Sequence, residues 1–177
     1  MKTVIWFTPM TVSEPEVTGG MLTSTGEDKY CYERTADNGT LTWQLTFTEQ
    51  QDVYIYFEAS HCEKLKVTID GETETYSDKR GHIVHLGQCD AGKVVTLDFP
   101  MGNEYDTGNV KLQMYAFNNN VFESAYTQLA DAQLQVNDYD STHVTGSIQA
   151  SQDGLMLLSV PYDEGWSVYV DGVKQEI

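Results

Sequence analysis

Leu41-Thr42-Trp43-Gln44-Leu45-Thr46-Phe47-Thr48 decides the fold class. Apolar and polar residues alternate along it with a period of two, the mark of a half-buried β-strand. The next run, Val53-Tyr54-Ile55-Tyr56-Phe57, is β-branched and aromatic almost throughout. Leu65, Val67 and Ile69 alternate again, and Asp70-Gly71 closes that strand with a hairpin turn leading into Thr73–Tyr76. Further strands are predicted at His82–Leu86, Val94–Phe99 and Val110–Phe117, then at Gln133–Val136, His143–Gln149, Leu155–Val160 and Ser167–Val170. Asn38-Gly39-Thr40 fits a glycosylation sequon but reads as a turn before a strand. Residues 8–28 are rich in Thr, Ser, Glu and Gly with little periodicity and read as a surface lead-in.

One helix interrupts the series. Asn118-Asn119-Asn120 offers N-caps, and Val121, Phe122, Ala125, Tyr126 and Leu129 follow at helical spacing. It is expected to run from about 120 to 130 and to cover a sheet edge or one end of a barrel. Many short strands, turns of Gly, Asp and Asn, and a single helix predict an all-β, antiparallel β-sandwich, jelly-roll-like and similar in class to carbohydrate-binding modules. The expected division is a sandwich with its lead-in over 1–117, then the helix and a second β-unit over 118–177. A faint internal echo supports two β-units. Tyr54–Phe57 and Leu65–Gly71 recur, 101 residues on and without a gap, as Leu155–Leu158 and Trp166–Gly172. The echo reads either as a duplicated sandwich or as a common hairpin recurring by chance. The second copy stops at Ile177, so its last strand is expected to be short or the natural domain to extend further.

The chain has 10 Lys+Arg against 27 Asp+Glu and a formal net charge of -17. Nucleic-acid binders cluster Lys and Arg to neutralise phosphates. Here the densest cluster, Lys64, Lys66, Lys79 and Arg80, is interrupted by Glu63, Asp70, Glu72, Glu74 and Asp78, so no nucleic-acid partner is expected. An anionic membrane surface would repel this charge. No apolar run approaches transmembrane length, and Met1–Phe7 is too brief for a signal peptide core. Cys31, Cys62 and Cys89 are odd in number and far apart, so free or buried thiols are expected rather than a disulfide framework or a zinc knuckle.

The chemistry-bearing candidates are few. Tyr162, Asp163, Glu164 and Trp166 follow Pro161 in a link between two predicted strands. One reading is a rigid link, with Pro161 fixing its own φ, Gly165 relaxing the backbone and Trp166 capping the core. The other is a carbohydrate-binding platform, with the two aromatic faces stacking on a sugar and the two acids meeting its hydroxyls. Adjacent acids in a turn cannot flank a sugar on opposite sides, so glycoside hydrolysis is not expected of them. His82 and His85 stand three apart in a strand and face opposite ways. Asp138 and Asp140 form the best local pair for one structural Ca²⁺, since oxygen-rich loops supply its ligands. No other cofactor is expected.

The stretch Asp153–Gly172 carries a resemblance. Its order of strand, Pro161-Tyr162-Asp163, Glu164, Gly165-Trp166, short strand and Asp171-Gly172 resembles the YfhO family of bacterial membrane proteins. Phe122–Ala130 resembles that family's short helix and Tyr139–Ile148 its Gly-containing strand, so the resemblance runs from about 120 to 172 and more generically from 30 to 117. It implies a polytopic, glycosyltransferase-like parent acting on envelope polymers such as teichoic acid. This chain would be an extracellular, non-catalytic accessory domain at the bacterial cell membrane. Its partners would be the parent's own transmembrane domain and cell-envelope polysaccharide or teichoic acid. The competing expectations are an autonomous carbohydrate-binding module of a secreted protein and a non-binding spacer.

Overall fold

The structure is a computed structural model that describes residues 6–77, 81–130, 132–151 and 153–176. Lys79 and Arg80 of the basic cluster and the apolar start Met1–Ile5 lie outside the described residues. The element order is β1 (Phe7–Met10), β2 (Glu16–Thr18), β3 (Gly20–Gly26), β4 (Lys29–Arg34), β5 (Thr40–Thr46), β6 (Gln51–Ser60), β7 (Leu65–Ile69) and β8 (Glu72–Tyr76). It continues through β9 (His82–Cys89), β10 (Val94–Pro100), β11 (Thr107–Phe117), α1 (Asn119–Ala130), β12 (Gln135–Tyr139), β13 (Val144–Ser147), β14 (Val168–Val170) and β15 (Val173–Gln175). The chain forms two compact units, Met1–Thr127 and Gln128–Ile177.

The first unit is an antiparallel sandwich. One sheet, called A, runs β3-β4-β11-β6-β9, with β1 also paired to β11; the other, B, runs β2-β5-β10-β7-β8. Period-two alternation does the sorting. In β5, Leu41, Trp43 and Leu45 are buried, and in β6, Val53, Ile55 and Phe57 are fully buried while Tyr54 and Tyr56 face out. The sheets meet through rings: Trp43 of B lies edge-on to Tyr30 of A at 5.7 Å, and Phe99 of B to Phe57 of A at 5.6 Å. Trp43 Nε1 donates to the Ser13 carbonyl at 2.9 Å, so the buried indole keeps a partner. Each such side chain contributes about 1.5–3 kcal/mol when fully buried.

The turns follow the sequence closely. Asp70 and Gly71 both take positive φ, 52° and 85°, the geometry of a tight two-residue hairpin between β7 and β8. Asn38 also turns with φ of 60°, directly before β5. No disulfide joins the three cysteines, of which Cys62 and Cys89 are buried.

Three expectations are corrected. Residues 8–28 are not a formless lead-in but supply β1, β2 and β3. These strands extend sheet edges, where backbone ladders do the work and polar side chains face solvent. Their contribution to the core is confined to partly buried residues such as Met10, Val17 and Leu22. The helix forms with the expected cap, Asn118 Oδ1 accepting from the Val121 N–H at 3.1 Å. It covers no sheet edge: none of its residues is buried, and it touches the sandwich through Phe122, which meets Trp6 at 5.6 Å and Phe117 at 5.7 Å. Asp98 lies in β10, inside the predicted strand, and accepts from the Thr42 hydroxyl across the sheet at 2.7 Å.

The third correction is in the second unit. β12 pairs with β13 and β14 with β15, the latter through Asp171-Gly172, again with both φ positive. The predicted strand Leu155–Val160 pairs with no strand among the described residues. Its exposure still alternates, 104% and 90% at Leu155 and Leu157 against 44% and 40% at Met156 and Leu158. Periodicity marks a strand's two faces, but a strand exists only where a neighbour completes its ladder. Among the described residues of this unit none is buried, so Trp166 is half-buried without a core to cap. The echo therefore persists in the hairpins β7-β8 and β14-β15 and fails at β6 against 155–158.

Candidate functional site: the outer face of sheet A

The side chains of β6 that point away from the core form the centre of an aromatic face. The β6–β11 register sets Tyr54 opposite Tyr115 and Tyr56 opposite Gln113, and on the other side β9 sets His85 beside Tyr54 and Ile83 beside Tyr56. Tyr54 and His85 stack at 4.3 Å with 10° between planes. Phe7 meets Tyr54 edge-on at 5.4 Å and Phe117 at 5.1 Å, and Phe117 continues to Phe122. The result is one connected run of rings from α1 across β11 and β1 to β9.

Polar groups border this run. Asp52 Oδ1 lies 2.5 Å from His85 Nε2 and holds the imidazole against Tyr54. The Tyr56 hydroxyl donates to the Glu58 carboxylate, and Lys111 Nζ sits 5.1 Å from the Tyr56 ring centre. Two phenols of the face are raised from their ordinary pKa. For Tyr54 the cause is burial, then the Asp52 charge; for Tyr56 it is the hydrogen bond to Glu58, then desolvation. Both stay neutral at physiological pH and keep their hydroxyls as donors. Aromatic faces bordered by charged and amide groups are able to stack on a sugar ring and to hydrogen-bond its hydroxyls.

Sequence reading missed this face because its residues lie on three strands with β1 beside them. The available signal was the alternation inside Val53–Phe57, which puts two tyrosines on the side away from Val53, Ile55 and Phe57. The opposed histidines follow the expected geometry: His82 packs on Phe57 and Tyr76, His85 on Tyr54.

The residues singled out from sequence lie in the second unit. Tyr162 is 72% exposed, Asp163 and Glu164 are exposed, and Trp166 is half-buried. Asp163 is committed to the turn: its Oδ1 accepts from the Gly165 N–H at 2.8 Å and its carbonyl from the Trp166 N–H at 3.0 Å. Asp140 is likewise committed, accepting from the Thr142 N–H at 2.7 Å and hydroxyl at 2.9 Å, which holds its carboxyl below the usual range. Asp138 and Asp140 gather no third acid, histidine or cysteine for a Ca²⁺ ion among the described residues.

Comparison with known families places the chain. The family model described as bacterial membrane protein YfhO matches residues 7–177. The chain belongs to the YfhO family. The match covers both units, including the stretch before 30 where the sequence signal is faint. No curated protein matches this YfhO chain. Among solved structures it is similar to the insecticidal crystal protein Cry2Aa, at 17% identity and a TM-score of 0.40, over 60% of this chain and 20% of that one. It is also similar to a family 35 carbohydrate-binding module from Clostridium thermocellum, at 11% identity and a TM-score of 0.39, over 62% of this chain and 96% of that one. A family 29 module from Piromyces equi gives 10% identity and a TM-score of 0.39, over 64% and 93%. Among the described residues no helix is long and apolar enough to cross a membrane.

Proposed function

We propose that this YfhO chain is an extracellular carbohydrate-contacting portion of a bacterial membrane protein, and that the outer face of sheet A is its platform. The observation that carries the reading is the row Tyr115, Tyr54 and His85 with Tyr56 beside it on the face away from the core, its tyrosines partly buried and His85 exposed, bordered by Asp52, Gln113, Glu58 and Lys111. A spacer has no need to place tyrosines outward on its central strands, where a polar residue would serve solubility better. The platform needs no metal and performs no bond-breaking step. The parent, in this proposal, is a glycosyltransferase-like membrane protein acting on envelope polysaccharide or teichoic acid. The chain holds or steers the acceptor beside the membrane-embedded region. The turn Tyr162, Asp163, Glu164 and Trp166 is a second proposed contact, with Tyr162 and Trp166 offering rings and Glu164 a free carboxylate.

The test is binding of the 177-residue chain to neutral envelope polysaccharides and their oligosaccharides, read by residue-resolved NMR. Shifts centred on Tyr54, Tyr56 and Tyr115, with binding weakened roughly tenfold in Y54A and Y56A, are expected, since one stacked base or ring is worth on the order of 1–3 kcal/mol. Shifts confined to Tyr162 and Trp166 and abolished by W166A would move the site to the second unit. Absence of both at millimolar ligand would leave the spacer.

A further inference from the structure

The outer face of sheet A holds one arrangement that sugar stacking does not use. β4 and β11 pair in a register that sets Lys29 directly opposite Lys111. Like charges facing each other across a sheet destabilise it. The pairing is conspicuous in a chain with 27 acids to satisfy its 10 Lys+Arg. Ion pairs among the described residues engage Arg34, His85 and Lys93, and neither of these two lysines. Glu58 is next to Lys111 in the register on β6, yet its carboxylate accepts from the Tyr56 hydroxyl and Lys111 leans over the Tyr56 ring.

Both lysines line an open cavity of about 330 Å³ together with Thr25, Glu58, Ser60 and Asn109. Ser60 Oγ accepts from the Asn109 N–H at 3.1 Å, which leaves its hydroxyl hydrogen to donate into the cavity. Two lysines, a hydroxyl and an amide thus line one cavity, whose lining stays net positive with Glu58 counted.

We propose that this cavity takes an anionic substituent, phosphate or carboxylate, of the same polymer whose sugars lie on Tyr54 and Tyr56. The proposal rests on the platform reading for its polymer; Lys29, Ser60 and Asn109 lie outside the platform, and Lys111 and Glu58 border both. Two lysines act as point charges on an oxyanion, and the neutral donors fix its orientation. The net charge of -17 does not forbid this, because acids beyond a Debye length of about 8 Å are largely screened at physiological salt. The anion relieves the repulsion between Lys29 and Lys111, so binding and sheet pairing reinforce each other.

Two probes separate this site from the platform. Glycerol phosphate carries the anion without a sugar ring, and a neutral oligosaccharide carries rings without an anion. Each is titrated into the full chain and into K29Q, which leaves Lys111 over Tyr56 in place, with amide shifts read by NMR. Glycerol phosphate is expected to shift Lys29, Asn109 and Lys111. Its affinity should fall several-fold in K29Q and be lost near 1 M salt, where the Debye length is about 3 Å. Oligosaccharide shifts at Tyr54 and Tyr56 should be the same in both proteins. Glycerol phosphate that leaves the lysines unshifted, or binds K29Q equally well, overturns the anion site while leaving the platform intact. Loss of oligosaccharide binding in wild type with phosphate binding retained removes the platform and keeps the cavity. Lys29 is exposed, so the variant should fold, and unchanged core resonances of Trp43 and Phe57 check that it does.

Discussion

Two glycines show how a single residue is constrained for opposite reasons. Gly108, on β11, has an ordinary backbone but no room: an added Cβ would stand 2.4 Å from both the Tyr32 hydroxyl oxygen and the Ser60 carbonyl. Tyr32 is fully buried, and its hydroxyl donates to the His61 carbonyl at 2.7 Å, so the ring cannot swing aside without losing that bond. Gly71 has open space around it but a φ of 85°. G108A is therefore expected to cost about 1–3 kcal/mol through overpacking. G71A should cost roughly 1 kcal/mol from backbone strain alone, and G71N less. Urea unfolding of the three variants measures the order; a G108A no worse than G71A would mean that Tyr32 yields. At the same scale, burial and then the bond to Glu74 push the Tyr76 phenol up to about 12. The folded state favours the neutral phenol, so that contribution is intact below pH 10 and fades as pH rises toward 12. Absorbance titration should show a late tyrosine that moves earlier in E74Q, with burial still holding it above 10.

Among elements, β6 and the segment Leu155–Val160 are the telling pair. Both alternate, and their sequences correspond at the offset of 101. β6 is bonded on one edge to β11 and on the other to β9, and its inward residues are fully buried. Leu155–Val160 has no ladder among the described residues, and its least exposed apolar residue, Leu158, is still 40% exposed. Hydrogen exchange should therefore protect the β6 amides to the level of global unfolding and leave those of 155–160 nearly unprotected. Equal protection in the two would show that the second unit gains a partner strand in solution. Exposed Leu155 and Leu157 should also make this segment the first site of proteolytic cleavage.

For the molecule as a whole, stability is concentrated in one unit. The buried hydrophobic core draws every member from Tyr30 to Met114, and no described residue after Thr127 is buried. A variant keeping only Trp43, W6F/W166F, is expected to give a sharp cooperative urea transition. One keeping only Trp166, W6F/W43F, should give a shallow change in fluorescence even where far-UV circular dichroism shows the sandwich melting cooperatively. A sharp, coincident Trp166 transition would instead tie the two units into one cooperative body.

The sequence by itself determined the class of this protein. Period-two alternation in 41–47 and 65–69, Asp-Gly turns and a single capped helix led to an antiparallel sandwich, and Asp153–Gly172 to the YfhO family. These signals are local: a strand's two faces, a turn's φ and a helix cap are each written within a few residues. Tertiary structure alone decided which edges are paired and which side chains meet. Edge strands β1 to β3 were silent because backbone bonds between strands leave little trace in side-chain periodicity. Leu155–Val160 looked like a strand because alternation cannot announce whether a neighbour will come. The aromatic row joins Tyr54, His85 and Tyr115, and the lysine pair joins positions 29 and 111. Such contacts between residues far apart in the chain exist only once β4, β11, β6 and β9 lie side by side, because register is set by the pairing of whole strands rather than by any one of them.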